Sequence, residues 1–244
     1  MKKTALTLTL ILALLYLSPV KAFEVTATVT FENPGGYYGE AYDSGKGEVF
    51  LTNVDFDLVY VISDDTNTVV ASIPVGRQPV GIAYDSAKGE LFVANYGSNS
   101  VSVISDSNNT VIAEIPCGIA PFAVAYDSGK GEIFVSNYNS SSVSVISDST
   151  NTVVANIPVG TQPCTLAYDS GKGEIFVGHA GCNQVLVISD TTYAVVANIT
   201  VEDPLSLVYD SGKEEVFVAN YNSSSVSVIS DTINQIVATV NVGA

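Results

Sequence analysis

The segment YNSSSVSVISD at residues 138–148 recurs letter for letter at residues 221–231. It belongs to a longer repeat, because the tripeptide Tyr-Asp-Ser occurs five times in the chain. The tyrosines of these tripeptides are separated by 42, 42, 42 and 41 residues, at Tyr42, Tyr84, Tyr126, Tyr168 and Tyr209. A period of about 40–45 residues with four strand-like segments is typical of a β-propeller blade. The repeat therefore predicts an all-β fold of five four-stranded blades.

One repeat, from Pro121, contains the segments PFAVAYDS, GKGEIFVSNY, SSSVSVISD and TNTVVANIPVG. Each segment is rich in β-branched and aromatic residues, and clusters of Gly, Asp, Asn and Ser separate the segments, as they separate strands. We label the four predicted strands a to d. The repeats begin near residues 37, 79, 121, 163 and 204, within a propeller domain at residues 23–244.

Residues 25–31 resemble one more copy of strand d, ahead of the first complete repeat. Five blades need only five such strands, so this copy is surplus. Two architectures remain open at this point. The chain forms either a closed ring of five blades with a spare N-terminal strand, or a fragment of a larger ring, for example one of seven blades.

The first 22 residues have the features of a secretory signal peptide. Lys2 and Lys3 precede an apolar run at residues 5–17, and a small-residue site ends at Ala22. The apolar run is too short to span a bilayer comfortably. We therefore expect cleavage after residue 22 and a secreted or cell-surface protein without a transmembrane segment.

The mature chain is strongly acidic. Removal of residues 1–22 leaves six basic residues against 25 acidic ones, a net charge of about −19. Binding to nucleic acid or to anionic lipid relies on Lys and Arg that neutralise phosphates. Nucleic acid is therefore excluded as a partner.

The segments FVANYGSNSVSVI at residues 92–104 and NTVIAEIP at residues 109–116 resemble the YVTN-type β-propeller repeat. The resemblance extends over all five units. It implies an extracytoplasmic or surface-layer-like propeller. The leader, the near-perfect repetition and the lack of a reactive constellation lead us to expect a non-enzymatic binding or scaffold module for envelope components, either protein or carbohydrate, without a cofactor.

An enzyme is the alternative, because some propellers that are similar to this family are lactonase-like hydrolases or lyases with a site over the central channel. Such chemistry needs acids, bases or metal ligands placed asymmetrically. The mature chain has one histidine, His179, one arginine, Arg77, and no Ser-His-Asp spacing. We therefore expect a protein without catalytic activity.

The connections between strands b and c combine aromatic and amide side chains, a composition that suits sugars and peptide backbones. The candidate ligand-binding residues are Tyr96, Tyr138, Tyr221, Asn95, Asn137, Asn220, Arg77 and His179. An alternative interpretation is structural: the tyrosines cover neighbouring blades and the asparagines cap strand ends.

Further candidates come from departures from the repeat and from short motifs. Cys164 and Cys182 are the expected disulfide pair, although three cysteines allow three pairings and Cys117 would remain free or pair between chains. We expect no metal in the repeated DSGKGE turn, where a lysine intervenes. A cation site near His179 is a separate hypothesis, with the acids Asp55, Asp57, Glu202 and Asp203. Glycosylation sequons occur at Asn108, Asn139, Asn198 and Asn222.

Overall fold

The computed structural model describes residues 27–31 and 35–243, and these contain twenty β-strands in five sheets. Blade 1 comprises β1 (Tyr37–Asp43), β2 (Glu48–Asn53), β3 (Leu58–Ser63) and β4 (Thr68–Pro74). Blade 2 comprises β5 (Pro79–Asp85), β6 (Glu90–Asn95), β7 (Ser100–Ser105) and β8 (Thr110–Pro116). Blade 3 comprises β9 (Pro121–Asp127), β10 (Glu132–Asn137), β11 (Ser142–Ser147) and β12 (Thr152–Pro158). Blade 4 comprises β13 (Pro163–Asp169), β14 (Glu174–His179), β15 (Gln184–Ser189) and β16 (Val195–Thr200). Blade 5 comprises β17 (Pro204–Asp210), β18 (Glu215–Asn220), β19 (Ser225–Ser230) and β20 (Gln235–Asn241).

Each sheet is antiparallel, and its strands pair in the order in which they occur in the chain. The innermost strands β1, β5, β9, β13 and β17 pack side by side in that order around a common centre. The prediction of an all-β protein with five four-stranded blades is thus confirmed. Among the described residues we find no helix with the length and hydropathy needed to cross a bilayer.

Apolar side chains fill the spaces between successive blades. Between blades 3 and 4, the fully buried Phe134 and Val145 of one blade pack against Ile175 and Val177 of the next. Phe50, Phe92 and Phe176 are equivalent to Phe134 and are also fully buried. The second strand of a blade is buried on both faces, which explains its uninterrupted apolar sequence.

Polar contacts at the rim repeat at the same interfaces. Lys88 of blade 2 pairs with Asp148 of blade 3 at 3.5 Å, and Lys130 of blade 3 pairs with Asp190 of blade 4 at 3.2 Å. Burial and contact with Asp85 of the preceding blade raise the pKa of Tyr126. A lysine of one blade and a tyrosine of the next thus make polar contacts across these interfaces.

Apolar interfaces join each of the four pairs of consecutive blades, but the described residues form no such interface between blades 5 and 1. Phe217, the blade 5 equivalent of Phe134, is partly exposed, and Val208 on the same sheet is 62% exposed. On the facing side of blade 1, Tyr42 is 52% exposed. In the described part of the chain, these two sheet faces are open to solvent.

The prediction of an extra strand at residues 25–31 is wrong for its described part. Residues 27–31 adopt no strand conformation. Instead, the ring of Phe31 packs 4.8 Å from Tyr37 and 4.8 Å from Tyr60, centroid to centroid, on the open side of blade 1. The outer edge of the fifth sheet, which the surplus strand could have joined, is occupied by β20. Residues 25 and 26 and the predicted signal peptide lie outside the described residues.

Blade 5 contains a turn residue that should cost stability. At this position blades 1 to 4 have glycines with φ of 65–67° (Gly47, Gly89, Gly131 and Gly173), whereas Glu214 has a φ of 58°. The left-handed conformation costs a residue with a side chain about 1–2 kcal/mol, a cost that glycine does not have. Part of this difference is offset because glycine loses more backbone freedom on folding. We expect Glu214→Gly to raise the free energy of unfolding by about 0.5–1 kcal/mol, measured by urea denaturation. Glu214→Ala is the control, because it retains Cβ; an equal gain in that variant would contradict the explanation.

Candidate functional site

The five innermost strands surround a cavity of about 700 Å³. Every blade contributes residues from the first half of its innermost strand, and blades 2, 3 and 4 also contribute the residue that follows the second strand. The lining residues are Tyr38, Gly39, Glu40, Gly81, Ile82, Tyr96, Phe122, Ala123, Val124, Tyr138, Cys164, Thr165, Ala180, Leu205 and Ser206. A concave, mostly apolar pocket with a few polar groups is the usual form of a small-ligand site.

Four aromatic rings from three blades meet at this cavity. Phe122 lies at the centre of the group, with Tyr38 at 5.2 Å, Tyr138 at 5.9 Å and Tyr96 at 6.2 Å between ring centroids. The planes of Tyr38 and Phe122 cross at 84°, an edge-to-face contact that favours ordered rings. Tyr38 remains 54% exposed and is accessible to a ligand.

The strand β5 approaches β9 closely because it has a glycine at the point of contact. A Cβ atom on Gly81 would lie 2.3 Å from the carbonyl oxygen of Phe122 and 3.0 Å from the Cα atom of Ala123. A real Cβ does not approach a backbone atom so closely. Gly81 therefore determines how near Phe122 stands to blade 2.

The polar groups of the lining are few. Glu40 is exposed and takes the position that Ile82, Val124 and Leu207 hold in other blades, so it replaces an interface side chain with a carboxylate at the cavity. Burial raises the pKa of the Cys164 thiol to about 11, and burial raises the pKa of Tyr38. Both groups are therefore uncharged at neutral pH.

The predicted tyrosines do not share one environment. Tyr96 and Tyr138 line the cavity, as part of its aromatic wall. Tyr221 follows the same strand in blade 5 but is 71% exposed and is not part of the cavity lining. Arg77 is exposed, and its backbone amide donates to Ser98 Oγ at 3.1 Å. Arg77 is likewise not part of the lining.

The side chains of the three predicted asparagines form hydrogen bonds within their own blades. The side-chain amide of Asn95 donates to Ser102 Oγ at 2.8 Å, and that of Asn137 donates to Ser144 Oγ at 2.9 Å. The side-chain amide of Asn220 donates to Ser227 Oγ at 2.8 Å. All three are nearly or fully buried, so their side chains are not offered to a ligand. This placement agrees with the structural interpretation of the asparagines.

The expected disulfide between Cys164 and Cys182 is not formed, and all three cysteines are free. The thiol of Cys164 is directed at the carbonyl oxygens of Gly178 and Pro204, each at 3.6 Å. The sulfur of Cys182 instead lies 3.0 Å from Thr161 Oγ1. The two sulfurs thus have separate partners, although both cysteines lie on the same side of blade 4.

The hypothesis of a cation site near His179 is not supported. Asp55 accepts a hydrogen bond from the Gly36 amide at 2.6 Å, and Asp57 accepts one from the Gln78 amide at 2.7 Å. Loop amides likewise hold Asp203, while Glu202 is exposed. No group of three metal-ligating side chains comes together among the described residues. The sequon residues Asn108, Asn139, Asn198 and Asn222 are all exposed.

His179 is fully buried at the end of β14. Burial lowers its pKa below the ordinary value of 6.5. The unfolded chain therefore binds a proton at His179 more readily than the folded chain does. The contribution of neutral His179 to the free energy of unfolding is complete above about pH 6.5 and is lost as the pH falls below that value. We expect the ring resonances of this single histidine to titrate in NMR with a midpoint below 6.5. A His179→Asn variant should lose less stability over the same pH interval; an equal loss in both proteins would contradict this assignment.

Sequence analysis missed Tyr38 and Glu40, which are prominent at the cavity. Both occupy positions that carry aliphatic or small side chains in most other blades, and this departure from the repeat was the available signal. The contact between Tyr38 and Phe122 could not be predicted from the repeat, because it depends on how the five blades curve around the cavity. The candidate residues, most of which were chosen from the connections between strands, therefore left out these two residues of an innermost strand.

Comparison with known proteins supports the fold and does not identify a family. No protein-family model matches the chain, and no curated protein matches it in sequence. The chain is similar in structure to Kuenenia stuttgartiensis hydrazine synthase, with a TM-score of 0.72 and 18% sequence identity. The match covers 85% of this chain and 66% of that chain, so it spans just under two thirds of the neighbour. The resemblance to YVTN-type repeats stays a prediction, and the chain has a β-propeller fold.

Proposed function

We propose that this chain is a secreted or cell-surface propeller that binds envelope components, protein or carbohydrate, without catalysing a reaction. The β-propeller fold supports a binding or scaffold module in general. The observation that carries the more specific proposal is the tyrosine-rich cavity at the centre of the five blades. Tyrosines present a large apolar surface and a hydroxyl group, a combination that suits sugars and peptides.

The extracytoplasmic location rests on the leader at residues 1–22 and agrees with the exposure of all four sequon asparagines. The acidic composition disfavours nucleic acid as a partner. A non-catalytic role agrees with the cavity lining, whose described residues include one carboxylate, Glu40, and no His, Lys or Arg. A lactonase-like hydrolase or lyase would need a further acid, base or metal ligand close to it.

The test is capture of purified envelope polysaccharide and of purified envelope proteins by the immobilised mature chain. We expect capture by the native protein and its loss in a variant with Tyr38, Tyr96 and Tyr138 changed to Ala. Tyr221→Ala is the matched control, because it removes the equivalent tyrosine that lies outside the cavity. Circular dichroism checks that each variant is folded. Equal capture by the native chain and the folded triple variant would reject the cavity as the binding site.

A further inference from the structure

Among the residues that the structure describes, Glu40 is the one charged side chain in the lining of the central cavity. The remaining titratable groups of the lining are phenols and a thiol, and burial raises the pKa of Tyr38, of Tyr138 and of Cys164. Among the described residues, the carboxylate of Glu40 is therefore the acidic side chain that the cavity offers to a ligand. A carboxylate at the wall of a largely apolar cavity favours a positively charged ligand, because opposite charges attract each other.

The aromatic wall favours the same sign of charge. The face of an aromatic ring attracts a cation, and an interaction of this kind is stronger where the cation loses water. Tyr38 and Phe122 stand almost perpendicular, as do Tyr96 and Phe122, with planes crossing at 84° and 78°. Rings set at such angles form the corner of a box, in which more than one ring can contact the same cationic group. Tyr38 and Glu40 belong to the same short strand, so carboxylate and ring are held together.

The lining also indicates which kind of cation fits. A primary ammonium has three N–H donors that need acceptors, and burial without acceptors is costly. Several other side chains of the lining are hydrocarbon, among them Ile82, Ala123 and Val124. Thr165 and Ser206 supply hydroxyls from blades 4 and 5. A quaternary ammonium has no N–H donor that needs an acceptor, so it suits a cavity wall made largely of hydrocarbon.

The charge of the whole protein acts in the same direction. The formal net charge of the chain is −16, and four of its lysines are already paired with carboxylates at the rims of the blades. Such a field raises the local concentration of cations and accelerates their association. We propose that the central cavity binds a quaternary ammonium group carried by a small molecule. This rests on the proposed function only in that the cavity is a ligand site.

Titration calorimetry of the full chain at low ionic strength tests the proposal with three probes of similar size. Choline carries a trimethylammonium group, 3,3-dimethylbutan-1-ol is its neutral carbon analogue, and ethanolamine carries a primary ammonium. We expect choline to bind about tenfold more tightly than either analogue. Glu40→Gln and Tyr38→Ala should each weaken choline binding about tenfold, and added salt should weaken it in the native protein. Tyr221→Ala, outside the cavity, should leave it unchanged.

Glu40 is exposed, so Glu40→Gln should fold normally, and its thermal melting verifies this. Equal affinity for choline and its neutral analogue, or choline binding unaffected by Glu40→Gln, would overturn the proposal. Choline that fails to bind at millimolar concentration would also overturn it, even if envelope material is still captured through Tyr38, Tyr96 and Tyr138. Conversely, choline binding without any capture of envelope material would support this inference and reject the proposed envelope role alone.

Discussion

Replacing Phe134 by alanine should lower the free energy of unfolding by about 3–5 kcal/mol, whereas the same change at Phe217 should cost about 1–2 kcal/mol. The two residues hold equivalent positions in the second strands of blades 3 and 5. Phe134 is fully buried between two blades, so its removal leaves a cavity that rigid neighbours cannot fill. Phe217 is partly exposed already, so its truncation uncovers less new surface.

Urea denaturation of the two variants, followed by far-ultraviolet circular dichroism, measures this difference. Phe92→Ala provides a second buried comparison and should behave like Phe134→Ala, because Phe92 is also fully buried. Equal losses at Phe134 and Phe217 would show that blade 5 is covered in solution as the other blades are. That result would contradict the open face described for blade 5.

A single methyl group at Gly81 should destabilise the protein by about 2–3 kcal/mol and disturb the central cavity. The added Cβ would meet the carbonyl oxygen of Phe122 at 2.3 Å, and that atom belongs to the backbone of β9 and cannot rotate away. Relief requires the strands of blades 2 and 3 to separate. Because Phe122 is the centre of the aromatic group, Gly81→Ala should also weaken any ligand that binds there.

The matched control is Gly212→Ala. A Cβ at Gly212 would meet only the Asp210 carboxylate oxygen, at 3.2 Å, and blade 2 already has an alanine, Ala87, at the equivalent position. We expect this variant to change the free energy of unfolding by less than about 0.5 kcal/mol. Equal stability of the two variants would show that β5 and β9 are less closely packed than the structure indicates. Urea denaturation gives both values.

The repeat made the sheets predictable from sequence. Each strand and turn is encoded within about 42 residues, so runs such as IFVSN and the DSGKGE turn specify a blade without reference to distant residues. Residues 27–31 show the limit of this reasoning, because a strand-like composition forms a strand only where a partner edge is free. The surplus copy therefore misled the sequence interpretation.

The candidate site was less predictable because it is assembled from inner strands of every blade. Tyr96 and Tyr221 have the same local sequence position, but Tyr96 lies 6.2 Å from the ring of Phe122 in the next blade and lines the cavity, whereas Tyr221 does not line it. Local sequence does not distinguish the two. The buried asparagines were equally ambiguous in the sequence. A polar residue at the end of a strand can bind a ligand, or it can donate a hydrogen bond to a serine of the next strand, as Asn95 does.

The consecutive order of strands in each sheet has a consequence for how the chain reaches its fold. All five described sheets pair strands that follow one another directly, and none combines a strand from the beginning of the described chain with one from its end. The strand pairing within each sheet is therefore made over short sequence separations, a property associated with faster folding among β proteins. A blade can form its hydrogen bonds as soon as its own residues are available, and each later blade can add to a completed one, as in other repeat proteins.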